Sequence, residues 1–104
     1  MANASSLFAA LSEPMRVAII DRLAAGPMTV GALAQGLPVS RPAVSQHLKV
    51  LKQAALVDVA AEGTRRVYRI DPAGLGAIRQ WLDRHWDQAL AAFAETVERE
   101  EEKG

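Results

Sequence analysis

Residues 39–51, VSRPAVSQHLKVL, decide the fold of this chain. Ser40 is a residue type that caps helices and Pro42 follows in the first turn, so the stretch predicts a helix over residues 40–53. Val44, Leu48 and Leu51 recur at helical spacing and define an apolar face. The opposite face carries polar and basic side chains, namely Arg41, Ser45, Gln46, Lys49 and Lys52. We expect this helix to pack through one face and to expose the other.

The segments on either side of this helix predict a winged helix-turn-helix. Thr29 can cap a short helix over residues 29–36, and the stretch LPVS at 37–40 forms a break of three to four residues before the next helix. After residue 55 the apolar pattern becomes alternating, with LVDV at 56–59 and VYRI at 67–70 on either side of EGTRR at 62–66. That pattern predicts a two-stranded hairpin with a basic tip. Two short helices followed directly by such a hairpin are typical of this fold.

Three further helices complete the expected fold, which is mainly α with one hairpin. A short helix is predicted at about 4–11, and another begins at the SEP of residues 12–14 and ends at the GP of 26–27. The apolar face of the second is formed by Val17, by Ile20 with its neighbour Ile19, and by Leu23. A long helix at about 74–99 carries one apolar stripe, formed by Leu75, Ile78, Leu82, Trp86, Leu90, Phe93 and Val97. We therefore expect one domain over residues 1–104, with the helix-turn-helix at about 29–53 and the wing at about 56–70.

The charge of the chain is zero in sum but uneven along its length. Residues 38–69 hold six basic and two acidic side chains, whereas residues 70–104 hold four basic and eight acidic ones. The middle region can therefore bind a polyanion although the whole chain is neutral. The chain contains no cysteine, which excludes disulfides and thiolate metal sites. It has no apolar run of membrane-spanning length and nothing like a signal peptide near residue 1, so we expect a cytoplasmic protein.

The polar face of helix 40–53 has the side chains that read DNA. The major groove admits one α-helix, and Gln46 can bond the N6 and N7 edge of adenine. Arg41 and Lys49 suit phosphates or guanine edges, and Ser45 suits either. Arg65 and Arg66 at the hairpin tip would reach the neighbouring backbone or the minor groove. The leading hypothesis is a sequence-specific DNA-binding regulator.

Four segments in order resemble the ArsR/SmtB family of winged helix-turn-helix repressors, over nearly the whole chain. They are LSEPMR at 11–16, VSRPAVSQHLKVL at 39–51, ALV at 55–57 and GTRRVY at 63–68. The resemblance implies a homodimer that packs through its first and last helices. It also implies recognition helices in successive major grooves of an inverted repeat, repression at the protein's own promoter and release by an inducer.

The resemblance and the residue types together give two candidate surfaces. The candidate DNA-binding residues are Thr29, Ser40, Arg41, Pro42, Ser45, Gln46, His47, Lys49, Arg65, Arg66 and Tyr68. The candidate dimer-interface residues are Leu7, Phe8, Leu11, Ile78, Trp81, Leu82, His85, Trp86, Leu90 and Phe93. A helix of about 74–99 cannot bury its whole stripe against so small a domain. We therefore prefer the interpretation that part of the stripe lies in the core and part in the dimer interface.

We expect no cofactor and no metal at the sites that metal-sensing members of the family use. The positions matching one such site, in the third helix, are Thr29, Gly31 and Ala32, which cannot ligate a soft metal. The positions matching the other, on the last helix, are Pro72, Gly74, His85 and Gln88, of which His85 alone is a potential ligand. The chain thus resembles a cysteine-free branch whose inducer, if there is one, is not evident from the sequence.

Three alternatives remain open at this point. The chain could be a protein-interaction module that binds a partner through its aromatic last helix, or a metal-responsive repressor with a non-standard site. A small enzyme is disfavoured because no His, Asp, Glu, Ser or Lys cluster has catalytic spacing; Asp83 and His85 point apart on a helix.

Each histidine also has a purely structural interpretation. His47 lies on the apolar side of its helix, which favours a packed residue bonded to a backbone carbonyl over a base contact. The family resemblance still allows His47 a phosphate contact. His85 lies one turn from Trp81 and beside Trp86, which favours a core or interface residue over a metal ligand.

Overall fold

Five helices and three short strands make up the computed structural model, which describes residues 4–103. The helices are α1 (Ala4–Ala10), α2 (Pro14–Leu23), α3 (Val30–Gln35), α4 (Arg41–Gln53) and α5 (Pro72–Lys103). The strands are β1 (Met28–Thr29), β2 (Val57–Glu62) and β3 (Arg65–Ile70). This order confirms the mainly helical winged helix-turn-helix. The break between α3 and α4 is longer than expected because Gly36 and Ser40, at the ends of the two helices, lie outside them as caps.

Side-chain caps fix where the three central helices begin. The Thr29 hydroxyl accepts a hydrogen bond from the Ala32 backbone N–H at 3.2 Å, and the Ser40 hydroxyl accepts one from the Ala43 N–H at 3.3 Å. The Glu13 carboxylate caps α2 by accepting the Arg16 N–H at 3.0 Å. Each bond satisfies a donor that the helix itself leaves unpaired. The local sequence was therefore sufficient to place these helix starts.

One core joins the helices to the wing. Its fully buried side chains come from every helix except α5, and from the start of the wing: Leu7, Ile19, Leu33, Val44, Leu48, Leu51, Leu56 and Val57. The predicted apolar face of α2 was partly wrong. Ile19 is buried, Ile20 only packs against the edge of the core, and Val17 is 39% exposed. Because Ile19 and Ile20 are adjacent, the apolar pattern allowed either one to face the core, and the tertiary packing buries Ile19.

The sheet has three antiparallel strands in the order β1-β3-β2, not two. The additional strand is β1, in which Met28 pairs with Tyr68 and Thr29 with Val67. A strand of two residues shows no alternating pattern, so the sequence could not predict it. The wing itself runs from the pair Val57 and Ile70 to the pair Glu62 and Arg65, and Gly63 adopts φ 63° in the turn between them.

Helix α5 begins where the wing returns to the core and then extends beyond it. The Asp71 carboxylate accepts the Ala73 N–H at 2.9 Å, and the Asp71 N–H donates to the Leu56 carbonyl at 3.0 Å. The helix has 32 residues, longer than the expected span of about 74–99, and every residue from 82 to 101 is exposed. The described part measures 68 × 28 × 21 Å because of this projection. Among the described residues, no helix combines the length and the apolarity that crossing a membrane requires.

Candidate nucleic-acid interface

The exposed face of α4 carries the polar side chains that the sequence placed there. Arg41, Pro42, Ser45, Gln46 and Lys49 are exposed, and the core takes the opposite face of the helix. Ser45 and Lys49 are four residues apart and so lie above one another on the helix surface. In the part of the chain that the structure describes, no carboxylate pairs with Arg41 or Lys49. Their charges are therefore available to a ligand.

The tip of the wing carries a second set of unpaired cations. Arg65 and Arg66 are exposed at the start of β3, and neither forms an ion pair with another residue between 4 and 101. Arg69, further along the strand, lies 3.4 Å from the Glu62 carboxylate. The positive charge of the wing is thus concentrated at its tip.

A cleft brings Arg41 of α4, but not Lys49, together with the cations of the wing tip. It has a volume of about 610 Å³ and lies between the first turn of α3 and the wing tip, with Arg41, Arg65 and Arg66 all on its walls. Thr29 and Gly31 line the α3 side of the same cleft, and Thr64 lines the wing side. Residues distant in the sequence therefore form one basic surface, which is the arrangement that a polyanion requires.

Besides Thr29, which caps α3, three candidate DNA-binding residues have structural contacts. The Ser40 hydroxyl caps α4, and Tyr68 is half-buried against the core. Contrary to expectation, His47 bonds no backbone carbonyl among residues 4–101. Its Nδ1 lies 3.8 Å from the Glu13 carboxylate, and its side chain is 21% exposed. The sequence could not predict this contact because Glu13 belongs to the cap of α2, which tertiary packing brings beside α4.

The candidate dimer residues fall into an inner and an outer group. In the inner group, Leu7 is buried, and the Phe8 ring meets the Trp81 ring edge-on at 4.9 Å. Leu11 and Ile78 pack at the edge of the core. These contacts join α1 to α5 within one chain.

The outer group faces solvent along α5. It consists of Leu82, Trp86, Leu90 and Phe93, continued by Val97, and two of them, Trp86 and Phe93, are 66% and 67% exposed. The spacings of four, four, three and four residues place all five on one side of the helix. His85 is not in the core, since it is exposed and stacks on Trp81 at 3.9 Å with its Nδ1 2.8 Å from the Trp81 carbonyl.

The residues at the two metal-site positions have other contacts in this chain. The Thr29 hydroxyl is bonded to the Ala32 N–H, and Gly74 is buried. Between residues 4 and 101, no three His, Asp or Glu side chains lie close enough together to hold a metal ion.

Five residues that line the cleft were not among the candidate binding residues, namely Val30, Gly31, Ala32, Gln35 and Thr64. Thr64 was part of the predicted hairpin tip but was not proposed for binding, and Gly31 was considered only as a position where a ligand is lacking. The first turn of α3, with its small residues after Thr29, was the feature that could have indicated a neighbouring side chain lying across it.

The fold and its basic face define a winged helix-turn-helix protein of the class that binds DNA. The model of the family described as a helix-turn-helix domain matches residues 11–60. The chain is 58% identical over 91 residues to the HTH-type transcriptional regulator Rv2034 of Mycobacterium tuberculosis, covering 88% of this chain and 85% of that protein. It is 33% identical to the transcriptional repressor SdpR of Bacillus subtilis, over 75% of this chain and 87% of that protein.

The solved structures agree with the sequence relatives. The homodimeric winged helix-turn-helix DNA-binding domain of Mb0332 from Mycobacterium bovis, a possible ArsR-family regulator, superposes with a TM-score of 0.64 at 33% identity. That match covers 85% of this chain and 77% of the other. The chain belongs to the ArsR/SmtB family of DNA-binding transcriptional regulators, which are not enzymes.

Proposed function

We propose that this chain is a homodimeric repressor that binds an inverted repeat in the DNA near its own promoter. Helix α4 enters the major groove as the recognition helix, and the wing contacts the flanking backbone. As a regulator of transcription it acts in the cytoplasm, where the DNA lies. The observation that carries the proposal is the cleft in which Arg41, Arg65 and Arg66 face one space without a carboxylate partner among the described residues.

The residues of this surface divide into two roles. Arg65 and Arg66, whose long side chains lie beside a turn, suit the phosphate backbone, which has no sequence information. Gln46, exposed on α4 and free of hydrogen bonds to other described residues, suits the bidentate bond to adenine. Loss of Gln46 should therefore change sequence preference, whereas loss of Arg65 should weaken binding to every sequence.

The outer stripe of α5 supports the dimer. Monomeric proteins rarely expose a continuous row of large apolar side chains, and here five lie on one side of a helix that extends beyond the core. The Mb0332 domain, of the same fold, is a homodimer. Two-fold symmetry would present two copies of α4 to two half-sites about one helical turn apart.

Nuclease footprinting on DNA upstream of the protein's own gene tests the proposal. We expect one protected region that contains an inverted repeat, with half-sites separated by roughly 10 base pairs or a multiple. In the same assay, Gln46→Ala should reduce the preference for the repeat by about 1–3 kcal/mol, and Arg65→Ala should weaken specific and non-specific binding equally.

Two results would reject the proposal. Protection without two-fold symmetry would contradict the dimer on an inverted repeat. Normal regulation by a variant in which Arg41, Gln46 and Lys49 are all replaced by Ala would show that the α4 face is dispensable, and would favour an interaction module instead.

A further inference from the structure

The guanidinium of Arg41 lies across the first turn of α3, directly over Gly31. A Cβ atom placed on Gly31 would be 3.3 Å from Arg41 Nη2, 3.5 Å from Cζ and 3.9 Å from Nε. The nearest of these distances is tighter than a relaxed contact, so the guanidinium would have to shift by a few tenths of an ångström to admit an alanine Cβ, and by more to admit a longer side chain. The space above Gly31 is occupied by a residue of the next helix.

We propose that Gly31 is a positioning residue for DNA binding, because its missing side chain lets Arg41 lie in the cleft where a DNA backbone phosphate is bound. This inference rests on the proposed function. The sequence left two ligands open for Arg41, a phosphate or a guanine edge, and the inference selects the phosphate. It also gives a role to Gly31, which does not itself contact DNA.

The location of the guanidinium favours the phosphate. Arg41 faces the cleft between α3 and the wing, in company with Arg65 and Arg66, and the wing is the element that meets the backbone. A planar guanidinium can bond a phosphate through two parallel N–H groups. A long arginine side chain that already rests on a helix turn loses less conformational freedom when it binds.

Helix stability gives no reason for a glycine at this position. Gly31 lies inside α3 and its φ is not in the left-handed region, so any L-residue fits the backbone. Glycine is less favourable than alanine in a helix interior. A substitution should thus stabilise α3 while it displaces Arg41, and stability and DNA binding should change in opposite directions.

The test measures binding of the full chain to a mixed-sequence 30-base-pair duplex over a series of salt concentrations. It compares Gly31→Ala, Gly31→Leu, Arg41→Ala and the double variant Gly31→Leu/Arg41→Ala with the wild type. Gly76→Ala is the matched control, since Gly76 is also a glycine within a helix and a Cβ there would meet nothing within 4 Å. Thermal melting of each variant checks folding.

We expect Gly31→Leu and Arg41→Ala each to weaken binding about ten-fold, the loss typical of one hydrogen bond to a charged group. Each should also lower the slope of log K against log salt by about 0.9 for every phosphate that the variant no longer neutralises. Gly31→Ala should have a smaller effect in the same direction, with a melting temperature at or above that of the wild type. The double variant should bind no more weakly than Arg41→Ala, and Gly76→Ala should bind like the wild type.

Three outcomes overturn the inference while the proposed function stands. In the first, both Gly31 variants bind like the wild type although Arg41→Ala is weaker. In the second, Gly31→Leu weakens binding equally with and without Arg41. In the third, Gly31→Leu weakens DNA binding but does not change the slope of log K against log salt. If the wild type itself shows no salt-dependent binding, the proposed function fails and the inference fails with it. Should Gly31→Leu not fold, the comparison of Gly31→Ala with Arg41→Ala decides.

Discussion

Two residues without large side chains determine how α5 leaves the core. Ala55 adopts φ 60°, in the left-handed region, immediately after α4. Its carbonyl group lies against Gly74, where a Cβ would be only 2.2 Å from the Ala55 oxygen. This close approach of two backbones brings the first turn of α5 against the residues that follow α4. The position of α5 relative to α4 therefore depends on Gly74.

Replacement of Gly74 by alanine should destabilise the protein by about 1–3 kcal/mol, because one backbone must move away from the other. The control is Gly76→Ala two residues later, where a Cβ meets open space. That change should be neutral or stabilise by up to about 1 kcal/mol through helix propensity. Urea unfolding at one fixed protein concentration measures both, and equal stabilities of the two variants would contradict the close contact.

Residues whose role is local could be predicted from the sequence, whereas those that depend on tertiary contacts could not. Thr29 and Ser40 were predicted as caps because a cap bonds an N–H only three residues away. The contact of His47 with Glu13 and that of Arg41 with Gly31 join different helices. No spacing within one helix indicates them.

At the scale of elements, the first turn of α4 combines a structural role with the binding role that the proposed function gives it. Ser40 caps the helix, Arg41 reaches the cleft, and Pro42 follows in the same turn. The period of the apolar residues predicted α4, the wing and α5, since each repeats its pattern several times. It could not predict β1, which has two residues, or the selection of Ile19 over Ile20 in the core.

Substitutions of Ser40 should separate capping from DNA binding. Ser40→Ala should lower the free energy of unfolding by about 1 kcal/mol, because the Ala43 N–H loses its acceptor. Ser40→Asp should keep the stability, since aspartate caps as well as serine, but should weaken DNA binding by placing a negative charge beside Arg41. Chemical denaturation and a DNA-binding titration measure the two effects. A Ser40→Asp variant that binds DNA as tightly as the wild type would place Ser40 away from the interface.

At the scale of the whole molecule, charge and apolar surface lie in different regions. The segment 38–69 has a balance of six basic to two acidic side chains and contains α4 and the wing. The segment 70–104 has four basic and eight acidic side chains, and it contains α5 with its exposed stripe. The neutral total thus results from a basic region, formed by α4 and the wing, and an acidic helix with an apolar stripe. The acidic side chains of α5 repel DNA. The apolar stripe on the same helix therefore suits a second protein chain.

The dimer can be tested with one charge on α5. The wild type should sediment at about twice its chain mass of 11.2 kDa, and Trp86→Glu should shift it towards the monomer, because a buried carboxylate would lack a partner. Gln88→Glu adds the same charge on the opposite side of the helix and should leave the dimer intact. A wild type that sediments as a monomer at micromolar concentration, or a dimer that tolerates Trp86→Glu, would contradict an interface along this stripe.

The most direct test of the central claim, sequence-specific DNA binding by the basic face, is a titration of the wild-type protein with two duplexes of equal length. One duplex carries the DNA upstream of its own gene, and the other carries a shuffled version of the same bases. We predict that the upstream duplex binds more tightly, by a factor of about 10³ or more, and that both affinities fall steeply as salt increases. Equal affinity for the two duplexes, or an affinity that does not depend on salt, would contradict the account.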